Sequence, residues 1–211
     1  MSQGNRFADR ADAGAQLGAA LAERGIEADL VLAVPRGGLP LGRAVADALD
    51  APLDIVVASK IGAPGNPEYA IGAVASDGSV WRNERAIQGT GADEEYFEAE
   101  RRREQEVARE KAATYRRDRS EPDLTDKTVV VVDDGVATGS TIRACLQQLA
   151  DSGAERVVLA VPVGPPDTIR DLQGMADEVV CLRQPSHFSA VGQFYDRFDQ
   201  VTDEAAMAYL E

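Results

Sequence analysis

Lysine is nearly missing from this 211-residue chain: Lys60, Lys111 and Lys127 are the only three, so almost all of its 22 basic residues are arginine. Against them stand 36 aspartates and glutamates, for a formal net charge of −14. Such a balance opposes nucleic-acid backbones, which call for a positive footprint. A single histidine, His187, is too few for a histidine-based metal centre. The two cysteines, Cys145 and Cys181, stand far apart in apolar patterns. They suit reduced core residues, not a disulfide framework or a zinc site. No apolar run approaches the roughly 18–20 residues that cross a bilayer. Residues 1–6 lead into a polar, alanine-rich helical pattern and not into a signal-peptide core. A Walker loop, Gly-x-x-x-x-Gly-Lys-Ser/Thr, is missing too. The expectation is a soluble, cytoplasmic chain with no membrane and no nucleic-acid partner.

What is present is an alternation of helical and strand signals. Residues 11–24 place Leu17 and Leu21 at helical spacing and end at Gly25. Residues 30–34 form an apolar strand stopped by Pro35, and 39–50 a helix with Leu41, Val45 and Leu49 four apart. A second strand follows at 53–58. Residues 70–75 and 79–81 flank Asp77-Gly78, a strong two-residue hairpin signal. The long helix at 93–117 carries Arg101-Arg102-Arg103, interleaved with Glu98, Glu100, Glu104, Glu106 and Glu110. Opposite charges at such spacing cancel the net field, so a solvated or subunit-contacting helix is expected. A linker at 120–127 enters a strand at 129–132, followed by a helix from Thr141 to about Asp151. Strands at 157–161 and 178–182 enclose a helix at 167–173. This order predicts an α/β fold, a single domain over 1–211 with a twisted, mostly parallel sheet and helices on both faces.

The most informative stretch is Val129-Val130-Val131-Val132-Asp133-Asp134-Gly135-Val136-Ala137-Thr138-Gly139-Ser140-Thr141. Four consecutive valines suit a strand buried on both faces of a parallel sheet. The strand ends on paired carboxylates, and a turn of small residues opens a helix. Loops of this kind, at a strand's carboxyl end and a helix's N-terminus, bind phosphates through free N–H groups and the helix dipole. Gly139 lets the main chain come close. Two aspartates beside a phosphate make sense if they serve another part of the ligand, as acceptors for sugar hydroxyls or as organisers of Mg²⁺. A plain Ser/Thr-capped helix after an acidic turn would explain the cap but not the carboxylate pair.

This order of residues resembles the phosphoribosyl-diphosphate (PRPP) motif of the type I phosphoribosyltransferases. Segments 35–40, 60–71 and 190–192 extend the likeness to a little-characterised group within them. The resemblance implies a type I phosphoribosyltransferase-like fold with a small C-terminal hood, made by 183–211 and part of the N-terminal region, and a loop and hairpin at 60–90. It implies that Asp133, Asp134, Gly135, Val136, Ala137, Thr138, Gly139, Ser140 and Thr141 hold the 5′-phosphate and ribose of PRPP. Pro35-Arg36-Gly37-Gly38 then matches the pyrophosphate loop, with a strained or cis peptide near Arg36-Gly37. Arg36, Gly37, Gly38 and Lys60 would meet the pyrophosphate. Asp133, Asp134, Lys60 and Arg36 form the implied catalytic set, with Mg²⁺ as cofactor met by Asp133 and Asp134 directly or indirectly.

The residues support part of this on their own. Gly37 and Gly38 free backbone N–H groups, Arg36 supplies charge, and the helix after them points its N-terminus at the same place. The alternative is a strand-to-helix turn that needs glycine only for geometry. Lys60, beside Ile61-Gly62, is either a pyrophosphate ligand or an exposed lysine. Residues 63–69 have the composition of a mobile loop, where relatives keep a lid; Glu68 and Tyr69 are its candidate contacts. In the hood, Phe188 and Arg183 are the candidate base pocket, one stacking and one reading an edge. Asp196 is a candidate for a second Mg²⁺, and His187 is either a base or a solvent or core residue. Phe194, Tyr195 and Phe198 read as core. Ala137 stands where hypoxanthine–guanine enzymes carry an acid, so 6-oxopurine specificity does not carry over.

Three functions fit. One is a Mg²⁺-dependent transferase, expected as a homodimer, that moves the phosphoribosyl group of PRPP to a small-molecule acceptor base. Another is a non-catalytic PRPP or nucleotide sensor, and the third an enzyme on another phosphoribosyl compound. Composition adds an expectation of its own, since an acidic surface with arginine in place of lysine fits adaptation to concentrated salt; the plainer reading is an ordinary acidic protein. Carboxylates repel over a Debye length of about 10 Å at 0.1 M and about 3 Å at 1 M salt. The melting temperature should therefore rise from low salt to molar KCl; a flat or falling trend in thermal melts would remove the salt-adaptation reading.

Overall fold

A computed structural model describes residues 6–117 and 119–211. Residues 1–5, which carry most of the N-terminal reading above, lie outside the described residues. The strands, in chain order, are β1 (Leu30–Ala33), β2 (Leu53–Ile55), β3 (Ala58–Ala63), β4 (Asn66–Ala75), β5 (Val80–Arg82), β6 (Thr128–Val132), β7 (Arg156–Val163) and β8 (Glu178–Arg183). They divide between two compact units, one made of Met1–Ile55, Pro122–Thr138 and Gly153–Glu211, the other of Val56–Glu121 and Gly139–Ser152.

The first unit is built on the valine strand. Val129, Val130, Val131 and Val132 have no exposed surface, as an apolar run without alternation requires. β6 lies at the centre of a five-stranded sheet of order β2-β1-β6-β7-β8, with every neighbouring pair parallel. The sheet is flanked by α1 (Arg10–Glu23), α2 (Gly38–Leu49) and α6 (Pro166–Leu172). Asp9 caps α1 by accepting from Asp12 N–H. The α1–α2 seam is tight because it is made of small residues: a Cβ at Gly14 would sit 2.8 Å from Leu41 Cα, and one at Gly18 2.7 Å from Ala48 Cβ. A short helix, α7 (Asp203–Ala208), closes the chain.

The second unit holds the antiparallel sheet β3-β4-β5. Three helices belong to it: α3 (Glu84–Thr90), α4 (Glu94–Arg116) and α5 (Ser140–Ala150). Its core gathers Ile61, Ile71, Val74, Ile87 and Phe97. The Asp77-Gly78 turn is formed, with Gly78 at φ 101° and Ser79 N–H donating to Asp77 Oδ1 at 2.8 Å. α4 buries only Phe97, Ala108, Ala112 and Tyr115. Its arginines pair with glutamates three residues away, as in Arg101–Glu98 and Arg103–Glu100, in keeping with a solvated helix. Among the described residues no helix is long and apolar enough to cross a membrane.

Several sequence expectations change here. The strand expected at 53–58 is two: β2 ends at Ile55 in the parallel sheet, and β3 starts at Ala58 in the antiparallel one. The loop expected at 63–69 is a hairpin, in which Ala63 pairs with Asn66 around Gly65 at φ 71°. Its Pro and Gly residues mark a two-residue turn and a bulge near Gly62, not a long irregular loop. α3 was not foreseen. The motif helix α5 packs on β3, β4 and β5, with Ile142, Cys145, Leu146 and Leu149 buried. Periodicity identifies an apolar face but not the surface that face meets.

Two glycine substitutions test these helices with opposite signs. Gly14→Ala gains about 0.5–1 kcal/mol of helix propensity, but its methyl meets the backbone of Leu41, and overpacking costs about 1–3 kcal/mol. Gly89→Ala in α3 meets nothing within 4 Å and keeps only the gain. Chemical denaturation should show Gly14→Ala destabilised and Gly89→Ala stabilised; a stabilised Gly14→Ala would show that the seam has slack.

Candidate active site at the strand ends of the first unit

From β1 the chain passes to β2 on one side, while β6 pairs with the other side of β1. The loops leaving the carboxyl ends of β1 and β6 therefore diverge, and open α/β sheets bind ligands at such a switch point. The two loops that meet there are Pro35-Arg36-Gly37-Gly38 and Asp133-Asp134-Gly135. Val34 N–H donates to Val132 C=O at 2.9 Å, tying the strand ends together. A Cβ on Gly38 would stand 2.8 Å from Val132 O and 3.2 Å from Asp133 Cα. A Cβ on Gly37 would fall on the Asp134 carboxylate itself. The glycines thus allow the loops to touch, a packing role beside any role toward an anion. The peptide between Pro35 and Arg36 is cis, one bond before the place expected from sequence.

The two aspartates differ. Asp133 is half-buried, and its Oδ1 accepts from Asp134 N–H at 2.8 Å. The Asp134 side chain is 15 % exposed, and its Oδ2 accepts from Arg10 Nε at 2.9 Å. Burial raises the Asp134 carboxyl above its ordinary range, against the opposing charge and hydrogen bond of Arg10. Tyr195 Oη donates to Asp134 C=O at 2.6 Å. Burial foremost, then the charge of Asp134, raises the Tyr195 phenol, so the hydroxyl stays a donor. Arg10 reaches on: its Nη1 donates to Asp199 C=O at 2.7 Å, and its guanidinium lies 3.8 Å over the Phe198 ring. The sequence reading missed Arg10 and placed Tyr195 only in the core. No local motif marks Arg10, which stands 124 residues from its partner.

The rest of the motif spans the boundary between the units. Val136 N–H donates to Val163 C=O at 2.9 Å, and Thr168 Oγ1 donates to Ala137 C=O at 3.0 Å, both holding the loop to the first unit. In the second unit Gly139, at φ 77°, is the N-cap of α5, and Ser140 is buried in the first turn. Thr141 follows on the same helix.

Arg36, Gly37, Gly38, Asp133 and Asp134 thus come together in one unit. Arg36 stands 3.8 Å from Asp203 of α7 and keeps 36 % of its side chain exposed. Lys60 belongs to the other unit; it sits within β3, not after a strand, and pairs with Glu68 at 3.2 Å. Tyr69, beside Glu68, is half exposed. Arg183 stacks 3.7 Å over the Phe7 ring, and Phe188 packs 5.2 Å from Phe194. Phe7 forms a parallel bridge with Tyr195, so the N-terminal segment is joined to the C-terminal one. Asp196 is exposed and lies 3.6 Å from Arg6. Cys145 is buried and Cys181, expected in the core, is only partly buried; neither is in a disulfide, and burial pushes the Cys181 thiol up to about 11. Among the described residues no three carboxylate, cysteine or histidine side chains gather as a metal site.

Residues 9–199 match the family model described as a phosphoribosyl transferase domain. The chain is 44 % identical over 205 residues to "Putative phosphoribosyl transferase Rv0571c" of Mycobacterium tuberculosis, covering 97 % of this chain and 46 % of that protein. It therefore spans about half the length of that relative. The crystal structure of TT1426 from Thermus thermophilus is 45 % identical, covers 97 % of both chains and superposes with a TM-score of 0.82. A purine phosphoribosyltransferase from Pyrococcus horikoshii is 18 % identical, with a TM-score of 0.50 over 92 % of this chain and 93 % of that one, which shows the shared fold. With the strand-end site and a match across nearly its whole length, the chain belongs to the phosphoribosyl transferase domain family.

Proposed function

We propose that this protein is a PRPP-dependent phosphoribosyltransferase, which displaces pyrophosphate from ribose C1 with a nitrogen of a small acceptor base. The observation that carries the reading is the meeting of the Arg36-Gly37-Gly38 loop with Asp133-Asp134 at the switch point of the parallel sheet. A diphosphate and a ribose attached to each other need two such loops side by side, one cationic and rich in N–H donors, one carboxylate-bearing.

The bond that breaks joins C1 to the pyrophosphate oxygen, and charge builds in opposite directions across it. Positive charge develops on the ribose as the transition state gains oxocarbenium character, close to the carboxylates of Asp133 and Asp134. Negative charge develops on the leaving pyrophosphate, where Arg36 and the Gly37 N–H beside the start of α2 stabilise it; the Gly38 N–H, expected there from sequence, donates instead to Val34 C=O at 3.0 Å. Lys60 is a further candidate for that charge. The backbone of residues 138–141, ending on the N-terminus of α5, holds the 5′-phosphate. Most of the rate enhancement then comes from positioning and charge stabilisation, with no covalent enzyme intermediate.

Mg²⁺ fits this donor set as an ion carried in with PRPP. It keeps several waters and binds through one or two carboxylates plus substrate phosphates, and two carboxylates are what the site offers. When bound it neutralises pyrophosphate oxygens. Phe188 and Arg183 are the proposed base-side residues, with the Phe7 and Phe194 rings behind them.

Pyrophosphate release from PRPP and Mg²⁺, screened across purine and pyrimidine bases, tests the reading; release with one base names the acceptor. PRPP binding without turnover on any base would instead favour a sensor. Asp133→Asn should lower turnover by about 10²–10³-fold, the scale of removing one stabilising contact to a developing charge, with little change in melting temperature. Gly139→Val, at φ 77°, should abolish the thermal stabilisation given by PRPP, since a branched side chain resists that backbone conformation and blocks close approach. Undiminished stabilisation in Gly139→Val would remove this loop from the PRPP site.

A further inference from the structure

Residues 184–190 leave the end of β8 without entering any helix or strand. Such a segment has no ladder to satisfy its peptide groups, so other groups must hold it. Here one side chain does. Gln193 Oε1 accepts from Ser189 N–H at 3.0 Å and from Ala190 N–H at 3.3 Å, while its Nε2 donates to His187 C=O at 3.1 Å. Gln193 N–H adds a bond to Ala190 C=O at 3.3 Å. Among the described residues, every hydrogen bond the structure shows on 187–190 ends on Gln193. Phe188 lies between the two peptides that the carboxamide grips.

Gln193 is itself fixed in place. It is half-buried on a 3₁₀ turn, Val191–Phe194, and its C=O accepts from Arg6 Nε at 2.9 Å. Phe194, next to it, is buried; its C=O accepts from Phe7 N–H at 2.8 Å, and Phe188 packs on its ring. The same turn touches the carboxylate loop, since a Cβ on Gly135 would stand 2.6 Å from Val191 Cγ1. We propose that Gln193 is a positioning residue for the acceptor base. It fixes the main chain on both sides of Phe188 and so sets where that ring stands relative to the Asp133-Asp134-Gly135 turn. This deepens the transferase reading above and rests on its assignment of Phe188 to the acceptor side. A wall held rigid binds a flat ring at lower entropic cost than one that must be ordered first. The carboxylate loop has other supports: Asp134 C=O, Val136 N–H and Ala137 C=O are held by Tyr195, Val163 and Thr168. Gln193 therefore acts on the acceptor and not on PRPP.

Gln193→Leu keeps the bulk of the side chain and removes its bonds to His187, Ser189 and Ala190. Gln193→Glu keeps the acceptor for Ser189 and Ala190 and loses the donor to His187. Steady-state kinetics with PRPP and adenine, guanine, hypoxanthine, uracil or orotate as trial bases separates the two substrates. One such bond is worth roughly two- to tenfold in an equilibrium, so Gln193→Leu should raise the KM for the base that releases pyrophosphate about tenfold or more, and that for PRPP less than about twofold. Gln193→Glu should fall between Gln193→Leu and the wild type, and it carries the same comparison if Gln193→Leu does not fold. Solvent exchange of the Ser189 and Ala190 amides, followed by NMR, should quicken in Gln193→Leu while the Val136 amide stays protected. An unchanged KM for the base, or Ser189 and Ala190 amides that stay protected, would overturn the proposal. So would KM values for base and PRPP that rise together, which would make Gln193 a brace for the whole site. If no trial base releases pyrophosphate from the wild type, the transferase reading fails and the role of Gln193 with it. A wild type that turns over beside a Gln193→Leu variant of equal kinetics sinks this inference alone.

Discussion

The contact between the loops that follow β1 and β6 is the constraint on which the rest of the site depends. Two strand ends in a parallel sheet lie one strand spacing apart, about 4.8 Å. Each must then turn away from the other, and both carry charge: Arg36 on one loop, Asp133 and Asp134 on the other. They can meet only because Gly37 and Gly38 bring bare backbone to the interface. Arg10 offsets part of the charge on the carboxylate side. An enclosed ion pair of this kind contributes little net stability, whereas removing one partner costs about 3–5 kcal/mol. The pair is better understood as holding a geometry than as holding the fold together.

That constraint reaches the ends of the chain. Arg10 opens α1, and α1 is seated on α2 through the Gly14 and Gly18 seam. α2 begins at Gly38, directly after the loop that Asp134 touches. The same residue is bound from the C-terminal side, by Tyr195 at its backbone carbonyl and by Asp199 by way of Arg10. The seam between two helices, the glycine loop and the C-terminal segment therefore act on one point. The second unit is stabilised separately. Phe97 is covered by the Arg82 guanidinium at 4.1 Å, and Arg82 grips Glu94 with two bonds of 2.9 and 2.8 Å. Hydrogen bonding to Glu94 foremost raises the Arg82 pKa and lowers that of Glu94, a consistent pair of shifts. Because the Glu94 side chain is largely exposed, the pair orders the start of α4 more than it stabilises the unit.

The sequence by itself determined the parallel sheet and the two loops of the candidate site. Four buried valines, a doubled aspartate and a glycine-led helix start are local patterns, and each has one structural outcome that satisfies its backbone and its apolar surface. It also determined the charge pairing along α4, since arginines and glutamates three residues apart pair on any helix. Tertiary structure decided what those patterns meet. The apolar face of α5 was visible, but its partner, the β3-β4-β5 sheet, lies in residues 58–82, and no local rule selects it. Residues 53–58 read as one strand because periodicity does not register the passage of the chain between two sheets. The pairing of Arg10 with Asp134 was hidden for the same reason: no local rule brings residue 10 beside residue 134, and the energy of that pairing exists only once burial removes the water between them.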